Sequence, residues 1–259
     1  MEEHRNLWME LDLVEMMTFV GCMVAVNSLV FVLCGALELV ERYDLFSDRK
    51  IHKTAAKCEQ PSVRAVVIHM LKVHYIIQPL GLPLFYTLMK WGGVRFTAPG
   101  PSWLEIVIHL AMIMLIEDTC FYWIHRALHT PFLYKHVHKM HHEYKQPHSW
   151  AVEYSHILEY TIANTFGIFI GAVLIHTHIY TFYIWILIRT AEGVDGHCGY
   201  NFWFSPFRYF PFRPGSDVHD YHHSHNIGNY GSLFTFWDSI CGTNISFSNY
   251  IQRKKMALH

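Results

Sequence analysis

Nine histidines between residues 125 and 223 fall into three short clusters and one isolated position. They are His125-Arg-Ala-Leu-His129, His138-Lys-Met-His141-His142, His197, and His219-Asp-Tyr-His222-His223. On a helix, residues four apart lie about 40° apart around the axis and residues three apart about 60°. Helical spacing therefore predicts that each cluster points its imidazoles at one spot. Neutral imidazole is the commonest transition-metal ligand among side chains. One ion takes about four to six donors, so nine convergent imidazoles are read as holding two metals.

Histidine makes up 21 of 259 residues, and so rich a chain gives some close pairs by chance. His125 and His129 alone would say little. Two copies of His-x-x-His-His about 80 residues apart say more, because core packing would select apolar residues there and a solvated face Lys and Glu. His136 lies about 200° from His138 at the helical pitch and is expected at the surface. His69, His74, His109, His148, His176, His178 and His225 lack partner spacing and read as structural. Three further polar groups flank the set. Asp118, about 10 Å below His125 at the helical rise, is expected either to orient an imidazole from another helix or to be a helix-end acid. His156, in Glu153-Tyr-Ser-His156-Ile-Leu-Glu159, is a candidate support for a ligand. Asn201, one turn beyond His197, is expected either to support a water-bridged contact to metal or, more in keeping with its residue type, to sit in a cap or turn.

An imidazole-only donor set suits zinc, iron, copper or nickel. Zinc sites usually close with three or four protein ligands, and without His-Glu-x-x-His the chain lacks the general base of a zinc protease. A pair of irons facing a membrane would suit oxygen activation against a lipid C–H bond. The chain shows no Gly-x-Gly-x-x-Gly after a strand and no haem-binding segment. Electrons are therefore expected from a separate membrane redox partner, docking near Arg253-Lys-Lys255.

The elements that position these groups read as membrane helices. Apolar residues reach 52%, charged residues only 16%, and the net charge of −1 offers no basic field for nucleic acid. Six cysteines show no Cys-x-x-Cys pair and read as free thiols. The acidic N-terminus lacks the basic region of a signal peptide. Length predicts one domain over residues 1–259, with the catalytic region at about 117–243. Val14–Leu37 is long enough to cross about 30 Å of hydrocarbon, and Trp103–Ile124 is a second candidate. Ile162–Ile188 reads as two helices with a tight turn at His176-Thr-His178. Val63–Met89, carrying Arg64, His69, Lys72 and His74 and broken by Pro79, Gly81 and Pro83, is ambiguous. Parity resolves it. The first two His clusters follow the Trp103 helix and the last follows the hairpin, so all lie on one side. The loop Glu41–Ser62 holds five Lys and Arg residues and Gly92–Ser102 only Arg95, which makes the former cytosolic by the positive-inside rule. Val63–Met89 must then cross. The expected fold is an all-α integral membrane protein with four to five spans and a cytosolic helical cap holding the dimetal site. Trp91 and Trp103 should mark the opposite interface. Phe121-Tyr-Trp123, Tyr200–Phe204 and Phe207–Phe212 are expected either to line a lipid pocket entered from the bilayer or to form an interfacial belt.

The runs Glu117–His129, Tyr134–Tyr144 and Gly215–His223 resemble the fatty acid hydroxylase/sterol desaturase superfamily. Within it, His197-Cys-Gly-Tyr200, Gly228-Asn-Tyr230 and Trp237–Thr243 are most similar to the methylsterol monooxygenases. The resemblance spans roughly Val30–Thr243. It implies an endoplasmic reticulum enzyme with a histidine-ligated diiron centre, oxidising the C-4 methyl of a sterol stepwise to the carboxylate. O2 is the co-substrate, and electrons come from NAD(P)H through cytochrome b5 and its reductase. The chain departs from the family pattern at Ser155-His-Ile157, at Gln146–Trp150 and at Gly193, where a bulkier residue is usual; these departures bear on substrate more than on metal. A sibling hydroxylase acting on another sterol carbon or a fatty acyl lipid would share the same histidines. A membrane metal transporter would instead place His and Asp inside its spans.

Overall fold

The computed structural model describes residues 2–54, 59–209, 212 and 215–256, with side chains from residue 12 onward; Cys58 and Phe210 lie outside them. Among the described residues there is no strand, only isolated bridges joining Lys50 to Tyr200 and Arg95 to His178. The framework is helical. It comprises α1 (Glu2–Arg42), α2 (Val63–Lys72), α3 (Gln78–Trp91), α4 (Trp103–Leu128), α5 (Pro131–His136), α6 (Ile157–Glu159), α7 (Gly167–Leu174), α8 (Ile179–His197), α9 (Asp217–His225), α10 (Phe236–Ile240) and α11 (Ile245–Met256).

Two rods are each built from an α–π–α succession. A π-helical turn, Val73–Ile77, joins α2 to α3, and another, Tyr160–Phe166, joins α6 to α7. The first lies just before Pro79, whose missing N–H and ring would break a regular α-helix at that point. Widening the turn lets the chain pass the proline without stopping. The ambiguous segment is thus one continuous rod, Val63–Trp91.

Five helical passes run between two ends of the molecule: α1, the α2–α3 rod, α4, the α6–α7 rod and α8. At one end Lys90 of α3 pairs with Asp12 and Glu15 of α1. There the Arg95 N–H also donates to Thr177 O at 2.9 Å, tying the α3–α4 loop to the turn between α7 and α8. At the other end the basic loop after α1 lies against the chain after α8, with Ile51 N–H donating to Gly199 O and Asn201 N–H to Arg49 O, both at 3.0 Å. The basic loop and the histidine clusters therefore share one end, as the parity argument requires. Three of the passes are long and apolar enough to cross a membrane by length and composition: Asp12–Arg42, Val63–Trp91 and Ile157–Leu174. The Trp103 helix is not among them; it carries Glu105, Glu117 and Asp118.

The bundle core is apolar and aromatic, with Phe19, Met23, Leu82, Tyr86, Met89, Ile113, Phe169, Phe182 and Trp185 all buried. Gly171 sets the closest approach. A Cβ there would stand 3.2 Å from the Ile113 Cα, so its absence lets α7 lie directly on α4. Leu80, Leu84, Leu104, Val107 and Leu115 face outward, and Trp91 and Trp103 are both more than four-fifths exposed at the end opposite the histidines. An apolar surface of that extent needs a lipid or protein cover.

Candidate metal centre

Four elements bring the nine histidines together. His125 lies in the last turn of α4 and His129 at its C-terminal boundary. His138, His141 and His142 lie on a short 3-10 helix, His138–Glu143, rather than the α-helix the spacing suggested. His197 ends α8, and α9 carries His219, His222 and His223. Their ring nitrogens form two groups. One holds His125, His129, His138, His142 and His222, the other His141, His197, His219 and His223, and within each the facing nitrogens all lie within 4.8 Å of one another. The groups adjoin: the rings of His142 and His223 stack with centroids 4.6 Å apart.

Five of the outer nitrogens are anchored. Nδ1 of His125 lies 2.9 Å from Tyr230 O, that of His141 3.2 Å from Tyr154 O, and that of His197 2.8 Å from Gly193 O. Nδ1 of His222 lies 2.6 Å from Gly228 O and that of His223 3.1 Å from Tyr144 O. A carbonyl can only accept, so each of these Nδ1 atoms carries the proton and each Nε2 is left with its lone pair. His138 Nδ1 lies 2.8 Å from Glu159 Oε1 but outside hydrogen-bond geometry, so this contact does not set its tautomer.

Nε2 of His125 lies 3.1 Å from that of His138. Where both rings are anchored, the inner nitrogens meet lone pair to lone pair: Nε2 of His141 and His197 are 3.4 Å apart. Neither member of such a pair has a proton to donate, and two facing lone pairs repel. Nor does protonation relieve them. Burial, reinforced by neighbouring imidazoles, holds His125, His142, His219, His222 and His223 well below the ordinary imidazole value. Burial likewise pushes His129 and His141 down to about 4. Neutral nitrogens converging in this way are complementary to cations, and an all-imidazole set suits a transition metal.

The anchoring carbonyls are themselves held. Asp238 of α10 accepts from Tyr230 N and Gly231 N, both at 2.8 Å, and from the Thr243 hydroxyl at 2.6 Å. Asp118 accepts from Leu233 N at 2.9 Å and Phe234 N at 3.0 Å. Two carboxylates from different helices therefore clamp the loop that presents Tyr230 O to His125. Asp118 is thus neither an imidazole-orienting group nor a helix-end acid. Gly228, at φ 63°, brings its backbone so close to Thr243 O that no side chain fits.

Other sequence expectations part company with the structure. The group that touches a histidine is Glu159, while His156 caps α6, accepting from Leu158 N at 3.2 Å. Both lay in the same polar run, but sequence spacing could not tell which faced His138. Asn201 accepts from Arg208 and makes no contact with a histidine nitrogen. His136 is exposed, as expected. His69, His109, His176 and His178 are engaged with Ser155 O, Thr177 Oγ1, Gly92 O and Thr97 O.

A cavity of about 70 Å³ lies against the centre, walled by His125, His138, His141, His197 and His219. Its far wall includes Ala163, Asn164 and Ile168 of the α6–α7 rod. It does not reach His222. A second cavity of about 50 Å³ shares its Phe121, Arg189, Gly193, His197 and His219 walls. Both are far smaller than the roughly 300–1,000 Å³ of sites that hold drug-sized ligands, so a bulky substrate must displace the shared partition. Of the aromatics expected to line a pocket, Phe121 does. Tyr200 and Phe202 stack on each other beside Leu37 and Val40, while Trp203, Phe204, Tyr209 and Phe212 are exposed. Gly193 keeps the partition thin: a Cβ would meet Val152 at 3.1 Å and Arg189 at 3.2 Å.

A helical membrane protein with a buried, two-part imidazole cluster is one class of molecule, a membrane oxidoreductase whose site is suited to metal. Comparison with known proteins gives the family. The fatty acid hydroxylase family model matches residues 110–243, which span the clusters from His125 to His223. A very-long-chain aldehyde decarbonylase of Oryza sativa is 37% identical over 245 residues, covering 93% of this chain and 89% of its own. A putative methylsterol monooxygenase of Dictyostelium discoideum is 35% identical over 227 residues, 87% of this chain and 80% of its own. Methylsterol monooxygenase 1 of Rattus norvegicus is 41% identical over 155 residues, 60% of this chain and 53% of its own. No solved structure matches. The chain belongs to the fatty acid hydroxylase family and is an oxidoreductase of the monooxygenase type.

Proposed function

We propose that the protein is a sterol C-4 methyl monooxygenase of the endoplasmic reticulum membrane, with its histidine end in the cytosol and α4 and α8 crossing beside the three apolar passes. The observation that carries this reading is the division of nine converging imidazoles into adjoining sets of five and four, in a chain with methylsterol monooxygenases among its relatives. His125, His129, His138, His142 and His222 would hold one iron, and His141, His197, His219 and His223 the other. The bound iron pair would supply activation of O2 and insertion of one of its oxygen atoms into a methyl C–H bond, drawing electrons from NAD(P)H through an external donor.

The chain's own groups do the rest. The backbone carbonyls fix the tautomers that keep Nε2 of His125, His141, His197, His222 and His223 free for metal. Phe121 and the α6–α7 rod form the apolar part of the cavity wall beside the histidines; because that cavity stops short of His222, entry from the bilayer is not part of this reading. The electron donor, cytochrome b5 with its reductase, is expected on the cytosolic face. There α11 packs Phe247 and Ile251 against Val218 and Tyr221 of α9 and leaves Arg253, Lys254 and Lys255 exposed.

The aldehyde decarbonylase relatives support a second reading, in which the same centre acts on a very-long-chain aldehyde. The test is the lipid profile of cells lacking the protein. Accumulation of a 4-methyl sterol, reversed by the wild-type chain and not by His222→Ala, is expected. A normal sterol profile with accumulated long-chain aldehyde would reverse the assignment.

A further inference from the structure

The cavity beside the histidines is more polar than a hydrocarbon requires. Glu153, Glu159, Asn164, Arg189 and Thr190 contribute to a wall otherwise made of Phe121, Leu128, Val152, Ala163 and Ile168. Two of these polar groups are held by protein partners. Arg189 donates through Nε to Glu117 at 2.9 Å and through Nη1 to Glu192 at 2.6 Å, and Glu159 lies against His138. Glu153, at the end of the 3-10 helix Ser149–Glu153, has an Oε2 that is out of solvent reach and without a hydrogen-bond partner. Glu159 Oε2 is likewise unpaired, but Glu159 Oε1 already lies 2.8 Å from His138 Nδ1.

A withdrawn carboxyl oxygen with no partner is costly to leave so, and in a cavity the partner can be a ligand. We propose that Glu153 hydrogen-bonds a hydroxyl that the lipid substrate carries next to the carbon being oxidised, and so determines which substrates are accepted. The cavity is only about 70 Å³ and is lined by both Glu153 and the histidines, so a substrate group held by Glu153 lies near the carbon presented to His125, His138 and His141. Removal from water raises the Glu153 carboxyl to about 7, against the pull of Arg189. Both of its protonation states are then populated near neutrality. A hydroxyl both donates and accepts, so it can pair with either state, whereas an aldehyde oxygen only accepts.

The inference rests on the sterol reading, because a 4-methyl sterol bears its hydroxyl on C-3, the carbon adjacent to the one carrying the methyl. A saturated acyl chain offers no such group.

The test compares a 3-hydroxy-4-methyl sterol with its 3-deoxy analogue, using iron-loaded protein, cytochrome b5, its reductase and NADH. Wild type is expected to prefer the hydroxysterol by about 10- to 100-fold in kcat/KM, the range for one hydrogen bond to a charged or buried polar group. Glu153→Leu should cut that preference to about threefold or less, mostly by raising KM for the hydroxysterol, with iron content unchanged. Glu153→Gln, which can still donate and accept, should retain most of it. Equal turnover of the two sterols by wild type would overturn the inference while leaving the sterol reading intact, and this arm needs no variant to fold. An undiminished preference in Glu153→Leu would overturn it as well. Failure of wild type to oxidise either sterol would overturn the sterol reading itself, and this inference with it.

Discussion

At the scale of single residues, His125, His141, His197, His222 and His223 each do two jobs with their two nitrogens. Replacing His141 by Ala removes one of four donors from the smaller set; replacing His222 removes one of five from the larger. Each variant should insert into the membrane normally and lose turnover. Metal analysis should fall from about two toward about one per chain, since a set stripped of a ligand holds its ion far more weakly. Unchanged metal content in both would remove these residues from the ligand set. Recombinant protein should be loaded with iron first, because zinc competes for such sites.

The lowered imidazole values also set a pH dependence for the metal-free protein. In the unfolded chain these side chains take up a proton near 6.5; in the fold His129 and His141 do so only near 4. Between those values the unfolded state binds more protons, so stability falls as pH falls. The Tm of the metal-free protein should therefore drop from pH 7 to pH 4.5, and bound metal should offset the drop at the upper end of that range. A flat Tm would show that the imidazoles are not held neutral. Gly193 is the other informative single residue. Gly193→Val has no room between Val152 and Arg189, so turnover should fall about tenfold or more, as for other overpacked substrate walls, at unchanged metal content.

At the scale of elements, the site depends on a loop more than on a helix. The chain from Gly228 to Phe234 supplies two anchoring carbonyls and is clamped by Asp118 from α4 and Asp238 from α10. Asp238→Ala would strand two backbone N–H groups and a hydroxyl, at about 1–3 kcal/mol for each that stays buried and unpaired. The expected result is a lower Tm together with selective loss of metal from the five-histidine set, because His125 loses its orientation. A lower Tm with full metal content would mean that the clamp serves stability alone.

At the scale of the whole molecule, the two ends of the bundle make a topological prediction. The basic loop after α1 and the tail of α11 lie at the histidine end, and the α3–α4 loop at the other. Single cysteines placed at Lys53 and Lys254 in a chain with its reactive native thiols removed should label with a membrane-impermeant reagent in intact, cytosol-side-out microsomes. One at Gly100 should label only after permeabilisation. Equal labelling of all three would refute the five-pass arrangement.

How much of this was legible in the sequence follows from what is local. The imidazoles that converge, the tight turn at His176–His178 and the length and apolar character of Val63–Trp91 depend on composition and helical period, and each can be read along the chain. Periodicity failed where the backbone left the α-helix. The 3-10 turn at His138–Glu143 changes the angular step, and the π turns add a residue per ring, and neither has a signature in residue spacing. The partition of nine histidines into five and four was equally hidden, because His138 and His142 join one set while His141, lying between them, joins the other. That assignment depends on which helix faces each ring, as do the carbonyl anchors, the Asp118 clamp and the unpartnered Glu153. Sequence determined which groups could bind metal and on which side of the bundle they gather. Tertiary structure decided which nitrogens face one another and which carboxyl is left facing the cavity, since contacts between residues about 100 positions apart are set by packing.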